Sequence, residues 1–187
     1  MDQSDLICYS LCEESDIIEK DMVKRKYLDN NKEIIITISS ILEKIIEENH
    51  KIENYEKIME EQSTLSFFCI EKPNVTIKDY LKRINYHLYP EESTLIISII
   101  LIDRICNISK IILNEYNIHR IILSSIFISL KFNEDKNFSH KFYSLIVGVF
   151  MNELQDLEIQ FLKLIDYKIF VSDKIYNKYW YYLKEAL

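Results

Sequence analysis

The sequence predicts an all-α protein, and three observations carry that prediction. Among 187 residues there are one Gly and two Pro, so the turn residues that a sandwich, a barrel or a Gly-rich phosphate loop needs at each reversal are missing. Apolar residues recur at spacings of three and four along most of the chain, which is the period of a helix face. Hydrophobic residues make up 48% and charged residues 28%, a balance that supports one packed core rather than a disordered chain.

Residues 1–32 are polar and acidic with no sustained period and read as a loosely ordered arm. From Glu33 to about Glu61 the set Ile34, Ile35, Ile38, Ile41, Leu42, Ile45 and Ile46 keeps helical spacing. Ile52, Tyr55, Ile58 and Met59 resume it after the polar stretch 47–51, so residues 33–72 hold two helices or one broken helix, packed on the helices of the remaining chain. Pro73 resets the chain, and Thr76 with Asp79 three residues on has the form of a capping box, which starts a helix from Ile77 to His87. Pro90 sits where a first helical residue would, and Glu91 and Glu92 suit the positive end of a helix dipole. The helix begun there is apolar nearly all round and therefore central. Asn117 can cap another, and residues 118–133 are expected to form the most buried helix of the protein. Ser139 can start a short helix ending near Val147-Gly148, and Asn152 with Gln155 can start the next, with one broad stripe of Leu154, Leu157, Phe161, Leu162, Leu164 and Ile165. Ser172 or Asp173 caps a terminal helix within 171–187.

With 23 Lys and Arg against 30 Asp and Glu, the net charge of −7 supplies no counterion-release term for binding a phosphate backbone, so no nucleic acid partner is expected. No membrane span is expected either, because a spanning helix needs about 20 apolar residues; the uncharged run from Ser93 stops at Ile102, before Asp103 and Arg104. The N-terminus carries acids where a signal peptide carries Lys or Arg. Cys8, Cys12, Cys69 and Cys106 are irregularly spaced and read as reduced thiols, which makes a cytoplasmic or nuclear location the expectation.

Catalytic and metal chemistry find little to work with. Glu47 and His50 make one Glu-x-x-His unit, whereas a carboxylate-bridged di-iron site needs two and further acids, and His87, His119 and His140 each lack an acid three residues before them. Cys8 and Cys12 lack the second ligand pair of a zinc site. No metal, no cofactor and no catalytic residue are therefore expected. Ser124 and Ser125 lie within an apolar helix, without the Gly-bearing elbow of a nucleophile, and read as small residues that let helices approach closely. What stands out is charge set into apolar helices. Burial of a lone Asp103 carboxylate would cost several kcal/mol, so a structural ion pair with Arg83 is expected, against the plainer possibility that Asp103 marks an exposed turn. Lys131 and Glu158 are similar intrusions, either solvated or presented at the edge of an apolar patch.

The segments EESTLIISIILIDRI, NIHRIILSSIFISLKFNED and NELQDLEIQFLKLIDYKI, in that order and with PNVTIKDYLKRI leading in, resemble successive helices of the cyclin box. The resemblance covers residues 73–170 and is nearest to the single-box, P-type cyclins of phosphate-pathway kind. It implies a five-helix box with extra N-terminal and C-terminal helices, a free monomer, and no catalytic activity. It further implies a regulatory subunit that binds and activates a cyclin-dependent protein kinase by holding its C-helix in the active position. In the family, the residues matching Lys131 and Glu158 bond the kinase near that helix, with Ile128, Phe132, Leu162 and Tyr167 as apolar neighbours. The family's internal Arg–Asp pair maps onto Arg83 and Asp103.

Two departures qualify the resemblance. Lys82-Arg83-Ile84-Asn85-Tyr86 is too polar for the substrate-docking groove of cell-cycle cyclins, and Val147-Gly148-Val149 stands where a P-type member might show Val-Gly-Gly. The competing class is a helical adaptor that uses the same box fold to hold a non-kinase protein.

Overall fold

Helix periodicity governs the chain throughout: in a computed structural model that describes residues 29–135 and 139–186, eight α-helices and no strand occur among the described residues. They are α1 (29–49), α2 (Tyr55–Gln62), α3 (Ile77–Leu88), α4 (Glu92–Ser109), α5 (Ile118–Asn133), α6 (His140–Val147), α7 (Met151–Leu164) and α8 (Asp173–Glu185). Most of the expected N-terminal arm, with Cys8 and Cys12, lies outside the described residues. None of the described helices is long and apolar enough to cross a membrane.

Local signals place several boundaries. Thr76 Oγ1 accepts the Asp79 backbone N–H at 3.0 Å, the hydroxyl half of the capping box read from the sequence, and donates to the Asp79 carboxylate at 2.9 Å, which meets the hydroxyl in place of a backbone N–H. The two groups hold the Asp79 carboxyl below its ordinary range, Thr76 first and Lys82 second. Ser139 accepts the Phe142 N–H and starts α6; Gly148, at φ 76°, closes it in the left-handed conformation that suits a residue without Cβ.

Other boundaries differ from expectation. The first helix reaches back to 29, four residues before Glu33, because Asn31 is buried and bonded to Asn85 Oδ1 and the Pro90 carbonyl, each at 2.8 Å. Asn117 makes no side-chain cap; it accepts the Asn114 N–H and donates to the Ile112 carbonyl, ordering the loop before α5 instead. Helix α7 starts at Met151 after Phe150, so Asn152 lies inside it. Ser172 precedes α8 without a side-chain cap bond. At α4 the capping carboxylate comes from another helix end: Glu134 Oε1 accepts the Glu91 N–H at 2.9 Å and the Thr94 hydroxyl at 2.6 Å, setting negative charge against the positive end of the dipole.

The core is built around α5, which packs chiefly on α4 and α7. Ile118 and every residue from Ile121 to Leu130 are buried, as a helix apolar all round requires. Ser124 and Ser125 are fully buried and bond the Arg120 and Ile122 carbonyls of their own helix, so close packing leaves neither hydroxyl unpaired. Helix α1 contributes Ile34, Ile35, Ile38, Leu42 and Ile46 to the same core, and Asn49 at its far end donates to the Leu113 carbonyl at 2.9 Å.

Candidate functional site: the α5–α7 face

The last turn of α5 and the middle of α7 come together around one ion pair. Lys131 follows Phe127 by one helical turn, which lays its ammonium 5.0 Å from the Phe127 ring centroid. From there it reaches Glu158 Oε1 on α7 at 2.5 Å. The other oxygen, Oε2, lies 3.9 Å from His140 Nε2 at the start of α6, and the His140 ring meets Phe127 edge-on at 5.5 Å. Glu158 is thus the point at which α5, α6 and α7 converge. Its side chain is 15% exposed and that of Lys131 44%, so the pair sits at the surface with the carboxylate on the inner side.

The other residues expected on this face differ in exposure. Phe132 is 55% and Tyr167 62% exposed, and Leu162, one turn beyond Glu158, is half-buried. Tyr167 is held outward by a turn in which Asp166 and Tyr167 both adopt left-handed φ, at 55° and 54°, while the Tyr167 N–H returns to the Leu162 carbonyl at 2.8 Å. Two consecutive non-glycine residues in that region store backbone strain, a feature that gathers at functional positions. Ile128 corrects the expected set. It is 3% exposed, because it lies on the inner side of a helix buried all round, and it supports the face from beneath rather than being offered at it.

The expected Arg83–Asp103 ion pair does not form. Asp103 is exposed; its Oδ2 accepts the Tyr179 hydroxyl at 2.8 Å and the Asn107 amide at 2.9 Å. Arg83 turns the other way, stacking 5.1 Å over the Tyr80 ring and donating to the Val147 carbonyl at 3.4 Å. Packing of α8 on α4 brings the Tyr179 hydroxyl to Asp103, beside the Asn107 amide of α4 itself, so this exposed carboxylate has neutral donors where a cation was expected.

Sequence reasoning missed a second pair between α5 and α7. Arg120 binds Glu153, and the same guanidinium donates to the Ser66 and Phe68 carbonyls at 3.0 and 2.9 Å, tying the segment before α3 to α5 and α7. The planar fork of Arg suits three acceptors at once. His119 beside it binds the Val75 carbonyl at 2.8 Å, and burial holds its imidazole below the ordinary value of 6.5. Only the adjacent His119-Arg120, charged or polar at the head of an apolar helix, signalled this in the sequence.

Among the described residues, the thiols and His50 have the following surroundings. Burial raises the Cys69 thiol, and pushes Cys106 up to about 12, so neither is activated. His50 faces Glu115 at 3.1 Å rather than Glu47.

Comparison with known proteins agrees with this architecture. Residues 32–169 match the Cyclin family. Cyclin-U4-3 of Arabidopsis thaliana is 26% identical over 155 residues, which is 82% of this chain and 68% of the relative. Cyclin-U2-1 of the same plant is 27% identical over 91% of this chain and 78% of the relative. PHO85 cyclin-7 of Saccharomyces cerevisiae is 26% identical over 79% of this chain and 58% of its own length. A helix-only fold around a buried α5, the ordered motifs along α4, α5 and α7, and a family match over most of the chain lead to one conclusion: this chain belongs to the cyclin family, as a P-type cyclin.

Proposed function

We propose that the chain is the non-catalytic regulatory subunit of a cyclin-dependent protein kinase, and that its α5–α7 face holds the kinase C-helix in the active position. The observation that carries this reading is the Lys131–Glu158 pair, which joins α5 to α7 at the surface on helices that also leave Phe132, and just beyond α7 Tyr167, exposed. Apolar surface rimmed by charge is what an incoming amphipathic helix covers. A kinase requires the ion pair between its β3 Lys and C-helix Glu, so a partner that binds only the inward position of that helix drives activation by population shift. Moving such an equilibrium from 1:99 to 99:1 takes about 5.5 kcal/mol of differential affinity. Lys131 and Glu158 support this economically, because each already restrains the other and less side-chain freedom is lost on docking.

The test is capture of a kinase from source cells by the tagged chain, followed by phosphotransfer assays of the co-purified kinase with wild type, Lys131→Ala, Glu158→Ala and the double variant. Each single change is expected to weaken association by about 2 kcal/mol, with helical content unchanged by circular dichroism. Unchanged activation by a folded double variant would move the kinase contact off this face. A folded chain that captures no kinase would leave the helical adaptor.

A further inference from the structure

Apart from the α5–α7 face, a cleft of about 350 Å³ opens between α1, α4 and α8. Its walls are mainly aliphatic, with Ile41 and Ile45 of α1, Ile99 and Ile102 of α4, Ile112 of the loop after α4 and Leu183 of α8, and Asn49, Cys106, Tyr179 and Tyr182 also line it. Four of these six aliphatic residues retain exposure, Ile45 as much as 39%, so the cleft is apolar surface that the described residues leave uncovered. The volume is that of a small-molecule site, and clefts between helices of a bundle are where such sites occur. An amphipathic helix would instead need an extended groove with successive anchors.

One charge stands on the rim. Asp103 is held in place by the Tyr179 hydroxyl and the Asn107 amide, both bonded to Oδ2. Its Oδ1 takes no hydrogen bond and no Lys, Arg or His nitrogen lies within 4 Å, among the described residues. Two neutral donors and solvent satisfy this carboxylate in the free protein, so a neutral ligand gains nothing from Oδ1, an anionic one is repelled by it, and a cation is drawn to it. We propose that the cleft binds a small aliphatic amine, its hydrocarbon chain among the isoleucines and its ammonium on Asp103.

Isothermal titration of the purified chain with decylamine, decanol and decanoate, each below its aggregation concentration, tests this. The expected result is saturable one-to-one binding of decylamine, at least tenfold tighter than decanol, and no binding of decanoate. Because the chain carries a net charge of −7, any amine is attracted in general, and the control is Asp103→Asn, which removes one charge and should bring decylamine to the level of decanol. Ile45→Trp, at a partly exposed position, should fill the cleft and abolish binding of both while circular dichroism stays unchanged. Non-saturable decylamine binding, or binding unaffected by Asp103→Asn, would overturn the proposal. So would a dimer in sedimentation that Ile45→Trp converts to monomer, since the cleft would then be covered by a second copy of the chain.

Discussion

Arg120–Glu153 and Lys131–Glu158 both join α5 to α7, the first near the N-terminal end of α5 and the second in its last turn. At the first, the cation also satisfies two backbone carbonyls, and both side chains are about three-quarters buried, 25% and 30% exposed. At the second, Lys131 has one anionic partner, is 44% exposed, and stands among side chains that face solvent. The difference teaches that the role of an ion pair is decided by its surroundings. Where acceptors other than the carboxylate depend on the cation, the pair fastens chain segments together. Where the cation has one carboxylate and the face of a ring, the pair joins its helices and still keeps the ammonium at the surface.

The largest expected effect comes from the core beneath α7. Phe161, three residues beyond Glu158 on α7, is fully buried and meets Phe67 edge-on at 6.1 Å, so Phe161→Ala should cost about 4 kcal/mol in denaturant unfolding. Arg120→Ala takes the donor from a partly buried carboxylate and the Phe68 carbonyl and releases the exposed Ser66 carbonyl to solvent, and should cost about 2–3 kcal/mol. Arg120→Lys should recover less than half of that, because an ammonium cannot reproduce the fork; full recovery would mean that charge alone fastens this end. Lys131→Ala should cost at most about 1 kcal/mol in stability, as exposed pairs do, so that a large loss would make the second pair structural like the first.

Asp103→Ala sharpens the contrast from outside the pair of helices. With Tyr179 and Asn107 as neutral partners at an exposed site, the same unfolding measurement should show about 1 kcal/mol, well below the roughly 3–5 kcal/mol of a broken buried ion pair. The smallest effect is in pH. Burial, followed by nearby Arg83, holds folded His119 below its ordinary 6.5, although its bond to the Val75 carbonyl opposes this. The unfolded chain therefore takes up the proton first, so the stability present above pH 6.5 is lost as the pH falls towards the folded value. Unfolding curves for His119→Gln should lack that part of the slope, and an identical slope would show that His119 does not contribute it.

Several features were legible because their causes are local. Thr76 and Asp79 are three residues apart, Ser139 precedes Phe142 by the same interval, and Gly148 is the chain's sole glycine; each boundary arises from groups within one helical turn. The α5 core was legible because an apolar run without a polar face can be placed only inside. Lys131 and Glu158 were legible through the resemblance of their flanking motifs, and their contact is a property of the fold.

Long-range pairing was not legible. Arg120 and Glu153 are 33 residues apart, and the partners of Arg120 at Ser66 and Phe68 are more than 50 away. The same limit explains the mistaken Arg83–Asp103 pair: sequence showed a carboxylate in an apolar helix and a cation on the one before it, but α8, through Tyr179, supplied the donor. Ile128 shows the limit at short range, since one residue's rotation around α5 separates the face from the core. By itself the sequence determined the helical class, the order of the helices and which of them lies at the centre, because periodicity, capping and hydrophobicity act within a turn or along one helix. Only the tertiary structure decided which charges meet, which aromatics stay outside and where a cleft remains open, because those depend on distances between helices that chain spacing does not contain.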